Sequence, residues 1–284
     1  MRIHTLHGLR IPRSLTGLMQ LLRRYAGIEE YRQYCSGQIA QDRLTGFLAK
    51  MEERYPALTR SFRSRCSDRQ RGMARMQMIV WPMYPKAADH ANSPLERIHA
   101  AAHPPRPSEW LWWLLSTDGD GGLCDPAVPD FHVARDAMLA EYHIAVQDYV
   151  LMYQHKRKIV TIRPRNGRER TVMRGTSTWT WSIQASVMRQ LRAEIDACGR
   201  RGFGVAGMLA AQRQRPLFAG VRNQVIELHR YARDSVGRLN SKQAHEMMSL
   251  PLVLEHHLPK MVALPVYGEV PVLVRDLIER PALV

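Results

Sequence analysis

The dipeptide Asn166-Gly167 stands between two alternating runs, KIVTIRPR and RERTVMRG, and leaves few structures open to them. Both central positions of a two-residue type I′ turn need φ > 0, and Asn-Gly adopts that geometry readily. The expected structure is a β-hairpin over 157–175. In it Arg165 faces Arg168, Arg163 faces Arg170, Thr161 faces Val172 and Ile159 faces Arg174. Side chains alternate between faces of a strand. Arg163, Arg165, Arg168, Arg170 and Arg174 therefore project from one side. Val160, Ile162, Thr171 and Met173 project from the other, where they can pack on the body. Like charges directly opposite each other destabilise a ribbon, so two such pairs at a tip point to an anion there. Two-stranded ribbons also fit the major groove of B-DNA. The competing account is a solvated edge that uses its charge against aggregation. Pro164 suits an edge strand in either case.

The charge of the whole chain supports a polyanionic partner. Its 284 residues carry 41 basic and 26 acidic side chains, a net +15. Such an excess attracts nucleic acid over long range. Only six of the cations are lysines. A GC-rich genome accounts for arginine in place of lysine, but not for the excess itself. Guanidinium groups bind phosphate bidentately and stack on bases.

Two further basic segments join the hairpin as candidates. Seven arginines fall between Arg54 and Arg75, among them Arg63, Arg65, Arg69 and Arg71, and read either as a phosphate-tracking arm or as a charged connector. A helix over about 219–238 places Val221, Val225, Leu228, Ala232 and Val236 on one stripe. Arg222, His229 and Arg233 flank that stripe with Arg230 beside them, a face that is usually only solvated.

The rest of the chain predicts an α+β fold, with mixed helices, a largely antiparallel sheet and the arginine-rich hairpin protruding from it. An opening strand over 1–11 ends at Pro12, and Ser14 caps a helix that stops at Gly27. Further helices are expected at 40–54, 133–146, 185–198, 204–213 and 219–238. Strands are expected at 74–84, after Glu109, at 149–156, at 176–183 and near 261–267 and 270–275. The Pro-, Ala- and His-rich stretch 85–107 is the candidate linker of a single unit. It would divide the chain into 1–84 and 108–284, the latter carrying the hairpin.

Other motifs carry less. Trp110 with Trp112, and Trp179 with Trp181, share strand faces; they read as core, with base stacking as the alternative. Asp118, Asp120, Asp125 and Asp130 lie in a glycine-rich loop that lacks the full EF-hand spacing. A turn explains them better than a Mg²⁺ site for phosphodiester cleavage. HAAAH (99–103) lacks the glutamate of a zincin motif, His256-His257 has no matching tyrosine context, and GFGVAG (202–207) is not a dinucleotide fingerprint. Four scattered cysteines argue against a zinc module or a disulfide framework. No metal or cofactor is called for. No apolar run approaches the roughly 18 residues of a membrane span. The start lacks the pattern of a signal peptide, so no membrane partner and a cytoplasmic setting are expected.

HGLRIPRSLTGLMQLLRRYA, WWLLSTDGDGG and RPLFAGVRNQV resemble uncharacterised proteins carried on bacterial plasmids and integrative conjugative elements. The resemblance implies a setting in which DNA or RNA is handled and transfers no catalytic residue. The favoured function is a non-enzymatic nucleic-acid-binding protein, DNA or RNA, as a subunit of a nucleoprotein complex of a mobile element or plasmid. One alternative is a nuclease or RNA-processing enzyme. The other is an interaction subunit whose basic face meets an acidic protein.

Overall fold

Ser14 starts the first helix. Its hydroxyl oxygen accepts a hydrogen bond from the Gly17 amide at 3.0 Å, satisfying one of the amides that a helix start leaves without an intrahelical carbonyl. Helix α1 (Leu15–Gly27) buries Leu18, Met19 and Leu22 at helical spacing. The structure is a computed structural model that describes residues 10–12, 14–83, 107–162, 167, 170–239 and 272–273. It divides into two compact units, one of residues 1–137 and 265–284, the other of residues 138–264.

In the first unit, β1 (Arg10–Ile11) pairs antiparallel with β9 (Val272–Leu273). A four-stranded antiparallel sheet runs β3-β4-β2-β5, from β2 (Gln33–Ala40), β3 (Met76–Met83), β4 (Glu109–Ser116) and β5 (Arg135–Asp136). Helix α2 (Gln41–Arg54) lies on it. Leu44, Leu48 and Met51 recur at i, i+4, i+7, and Met76, Met78 and Val80 at period two, so each element turns one apolar face to the other. Trp110 is buried in this core, and Trp112 packs on Phe47 with ring centroids 5.1 Å apart. Ile79, Trp113 and Leu115, on the other face of the sheet, are buried as well. The stretch 85–107 joins β3 to β4, which are paired neighbours within this unit, and the division between units falls after Ala137.

The helix expected over 133–146 does not form. The segment holds 3-10 turns at Phe131–Val133 and Ala140–Tyr142 and the short strands β5 and β6 (Ile144–Val146). β5 pairs with β2, and β6 with β7 (Tyr149–Ile162), so strand pairing on both sides overrides local helix propensity.

The second unit is a meander β6-β7-β8, with β8 spanning Arg170–Ile183. Three helices follow, α4 (Ala185–Arg201), α5 (Val205–Gln212) and α6 (Ala219–Leu239). GFGVAG makes the turn between α4 and α5, where Gly202 (φ +84°) and Gly204 (φ +94°) take the left-handed conformation that stops one helix and opens the next. α6 packs against β8 and α4. Gln224 on α6 closes the end of β8: its Oε1 accepts from the Ile183 amide at 2.6 Å and its Nε2 donates to the Ile183 carbonyl at 3.0 Å. Among the described residues the strands form three sheets, each antiparallel throughout, and with helices set beside them the fold is α+β.

Candidate nucleic-acid interface

β7 and β8 form one ribbon of fourteen residues per strand, each about 45 Å long at ~3.3 Å per residue. Its base is anchored by buried Tyr149, Leu151, Trp179, Trp181 and Ile183. Trp179 and Trp181 are therefore core residues. Outward of the Gln154–Thr178 pair, every residue whose side chain is described is exposed: His155, Gly167, Thr171, Gly175 and Ser177.

The register differs from the expected one by a residue. Thr161 pairs with Thr171 and Ile159 with Met173, not with Val172 and Arg174. Arg170 stands opposite Ile162, not opposite Arg163, and Arg174 stands opposite Lys158. An odd number of residues separates the partners Ile162 and Arg170, a spacing that a two-residue Asn-Gly turn in this register does not permit. Directly opposed residues share a face, so Val160 and Ile162 fall on the face of Arg170 and Arg174, not behind it. Thr171, expected to pack on the body, is exposed. Arg163, Arg165 and Arg168 lie outside the described residues, as do the HAAAH segment, His256-His257 and the strand expected at 261–267.

The candidate site residues do not include Lys156, just outside the expected hairpin, or Arg157 and Lys158 within it; β7 contains all three. The stretch 156–174 carries eight cations against the single acid Glu169. The contiguous Lys-Arg-Lys run was the available signal.

The two other basic segments sit on helices packed into their own units. On α6, Val221, Val225, Leu228 and Ala232 are buried as the stripe requires, and the side chain of Val236 lies outside the described set. Arg230 is exposed, whereas Arg222 and Arg233 are half-buried. α6 clasps α4 through the Arg192–Glu227 ion pair, through Arg192 over the Tyr231 ring at 5.5 Å, and through Tyr231, which donates to Asp196 at 2.7 Å. Hydrogen bonds from Ser235 and Tyr231 hold the Asp196 carboxyl below its ordinary range.

In the first unit, residues 54–75 cover the end of α2, the helix α3 (Phe62–Gln70) and the turn after it. Arg54 pairs with Asp130 at 3.0 Å, Arg60 with buried Asp68 at 2.7 Å, and Arg75 donates to the Glu29 carbonyl at 2.8 Å. Arg65 donates to Gln77 at 3.4 Å and Arg69 reaches Glu30 at 3.9 Å. Arg65 and Arg69 thus reach partners within the unit, whereas Arg63 and Arg71 are open to solvent. The unit also builds an open cleft of ≈ 170 Å³, whose walls include Glu30, Arg32, Arg69, Arg75, Thr117 and Asp118. Arg32 and Asp118 are far apart in sequence, so no local pattern could have joined them.

The acidic loop is a docking turn. The Ala74 amide donates to the Asp120 carbonyl at 2.9 Å, and the Asp120 amide to the Gly72 carbonyl at 3.1 Å. Asp125 accepts from the Ala127 and Gly121 amides, which lower its carboxyl pKa. Asp130 is held by Arg54 and by the Tyr55 hydroxyl. Among the described residues, no three His, Cys, Asp or Glu side chains gather as metal ligands would. All four cysteines are free, and burial pushes the Cys35 thiol up to about 12, far from the range of a reactive thiolate. Among the described residues, no helix is long and apolar enough to cross a membrane. No protein-family model matches the chain, and neither a curated protein nor a solved structure matches it.

Proposed function

We propose that this chain is a nucleic-acid-binding protein that engages the phosphate backbone through the β7–β8 ribbon, as a subunit of a nucleoprotein complex of a mobile element or plasmid. One observation carries the reading. The stretch 156–174, with eight cations and one acid, belongs to a ribbon whose described side chains are exposed beyond its anchored base. A merely solvated edge is protected by charges, Pro or bulges placed along it and does not call for this density. Phosphate is the cytosolic anion that repeats at a spacing a cationic ribbon can follow.

The test is binding of labelled single- and double-stranded DNA and RNA, with and without Mg²⁺. Affinity should fall about 10³-fold or more between 50 and 200 mM salt if six or more phosphates are contacted. Changing Arg163, Arg165, Arg168 and Arg170 together to glutamine should weaken binding at least about thirtyfold. The matched change at Arg222, Arg230 and Arg233 should cost less. A salt-independent affinity, or a quadruple variant that binds like the wild type, would remove the ribbon from the function. Mg²⁺-dependent cleavage abolished by alanine at Asp118 and Asp120 would instead make the protein a nuclease.

A further inference from the structure

One face of the ribbon changes character along its length. At the base Tyr149, Leu151, Trp181 and Ile183 are buried. One register step outward, half-buried Tyr153 stands opposite Trp179, with ring centroids 5.3 Å apart. The next pair is His155 opposite Ser177, both exposed, and the next is Arg157 opposite Gly175. The His155 and Tyr153 rings lie 5.0 Å apart at 83°, forming a right-angled corner. Ser177 Oγ sits 2.6 Å from His155 Nδ1, which fixes the ring plane, and Nε2 has no partner among the described residues. Near Ser177, Gly175 is exposed, and a Cβ built there would meet nothing within 4 Å among the described residues.

We infer that the Tyr153–His155 corner is a stacking platform for an unpaired base of a single-stranded nucleic acid whose phosphates follow the cationic distal half of the ribbon. This rests on the nucleic-acid reading above and adds the substrate class. In a duplex both faces of each base are covered by its neighbours, so an aromatic corner gains nothing from it. An unpaired base offers a bare face to stack on, whatever its identity. Two rings at 83° offer one wall for stacking and one for the base edge. Trp179 behind Tyr153 and Ser177 beside His155 already hold both rings, so little ordering entropy is lost on binding. An apolar peptide would leave unexplained why the platform adjoins a stretch with eight cations and one acid.

The experiment compares four probes of equal length at fixed salt: a thymidine strand, a uridine strand, an abasic deoxyribose-phosphate strand and a DNA duplex. The wild type should bind both base-bearing strands about tenfold tighter than the abasic strand, and tighter than the duplex. His155→Ala and Tyr153→Leu should each shrink the preference over the abasic strand by threefold or more without changing affinity for the abasic strand itself. Tyr153→Phe should keep the preference. If Tyr153→Leu does not fold, the exposed-site variant His155→Ala decides, and an unchanged preference would overturn the platform. Equal wild-type affinity for base-bearing and abasic strands, or tighter binding of the duplex, would also overturn it while leaving the ribbon's phosphate contacts standing. Absence of binding to all four probes would overturn the nucleic-acid reading and the platform with it.

Discussion

Arg215 Nη1 lies 3.0 Å from Asp148 Oδ2, and it also donates to the Tyr149 hydroxyl at 3.1 Å. The guanidinium sits 5.7 Å from the centre of the Tyr149 ring. One side chain from the segment between α5 and α6 thus holds the two residues that start the ribbon, and it is only 17 % exposed. Charge-assisted hydrogen bonds in such partly buried settings are worth more than surface pairs. Arg215→Met should therefore lower stability by about 1–3 kcal/mol in urea denaturation. Arg189→Gln, at an exposed position of α4, should stay within about 0.5 kcal/mol. Equal effects of the two would mean that Arg215 is no anchor.

Gly220 reverses a familiar rule. Alanine is normally better than glycine in a helix by about 1 kcal/mol. Here a Cβ would come within 2.3 Å of the Trp181 carbonyl oxygen and 2.4 Å of Ser182 Oγ. The Gly220 amide itself donates to Thr180 Oγ1 at 3.0 Å, so the first turn of α6 lies directly on β8. Gly220→Ala should destabilise by about 1–3 kcal/mol, the usual cost of overpacking. A melting temperature at or above that of the wild type would show that α6 gives way to the methyl group at no cost.

Such contacts mark where sequence reading stops. Ser14 announced a helix start because the cap is a local contact, and the spacing of Leu44, Leu48 and Met51 announced α2 because a helix repeats locally. β2 gave no comparable signal: QYCSGQIA lacks a run of β-branched residues and is a strand because β4 and β5 flank it. Asn166-Gly167 falls between β7 and β8 in the sequence, and the register of those strands differs by one residue from the one a two-residue turn there dictates. Register in a long ribbon is set by pairing along the whole of both strands and by how their base packs, here Leu151 against Trp181. The cleft by Arg32 and Asp118 was illegible for a simpler reason, since its walls come from three separated stretches of chain.

His229 supplies a pH dependence. Burial, and then the neighbouring charges of Arg213 and Arg233, push its pKa below the ordinary 6.5. Its Nε2 is buried without a hydrogen-bond partner among the described residues. The folded state therefore keeps His229 neutral at a pH where the unfolded chain already binds a proton. Stability should fall as pH drops below 6.5 and level off below the folded pKa. His143, whose pKa burial also lowers, adds to the same slope. The difference between wild type and His229→Leu isolates the contribution of His229. The variant should lose less melting temperature between pH 7 and pH 5. Parallel pH profiles would mean that His229 titrates alike in both states.

Lys158 and Arg174 stand directly opposite each other in the ribbon. Like charges in that position are destabilising, and an opposite-charge pair contributes about 0.2–1 kcal/mol. Arg174→Glu should therefore leave stability unchanged or raise it by up to about 1 kcal/mol. Nucleic-acid binding should weaken all the same, because a cation is lost and an anion is set among those that remain. If Arg174 contacts a phosphate, the slope of log affinity against log salt should shrink by about 0.9 on B-DNA or about 0.7 on a single strand. Stability and affinity moving in opposite directions would exclude unfolding as the cause of weaker binding. A double-mutant cycle then tests the register itself. Lys158→Glu alone should mimic Arg174→Glu, while the two together restore a like-charge pair and cancel the gain in stability. In the register that a two-residue Asn-Gly turn dictates, Arg174 would face Ile159 and Lys158 would face Gly175. The two changes would then add without coupling, and additivity within about 0.3 kcal/mol would overturn the pairing of Lys158 with Arg174.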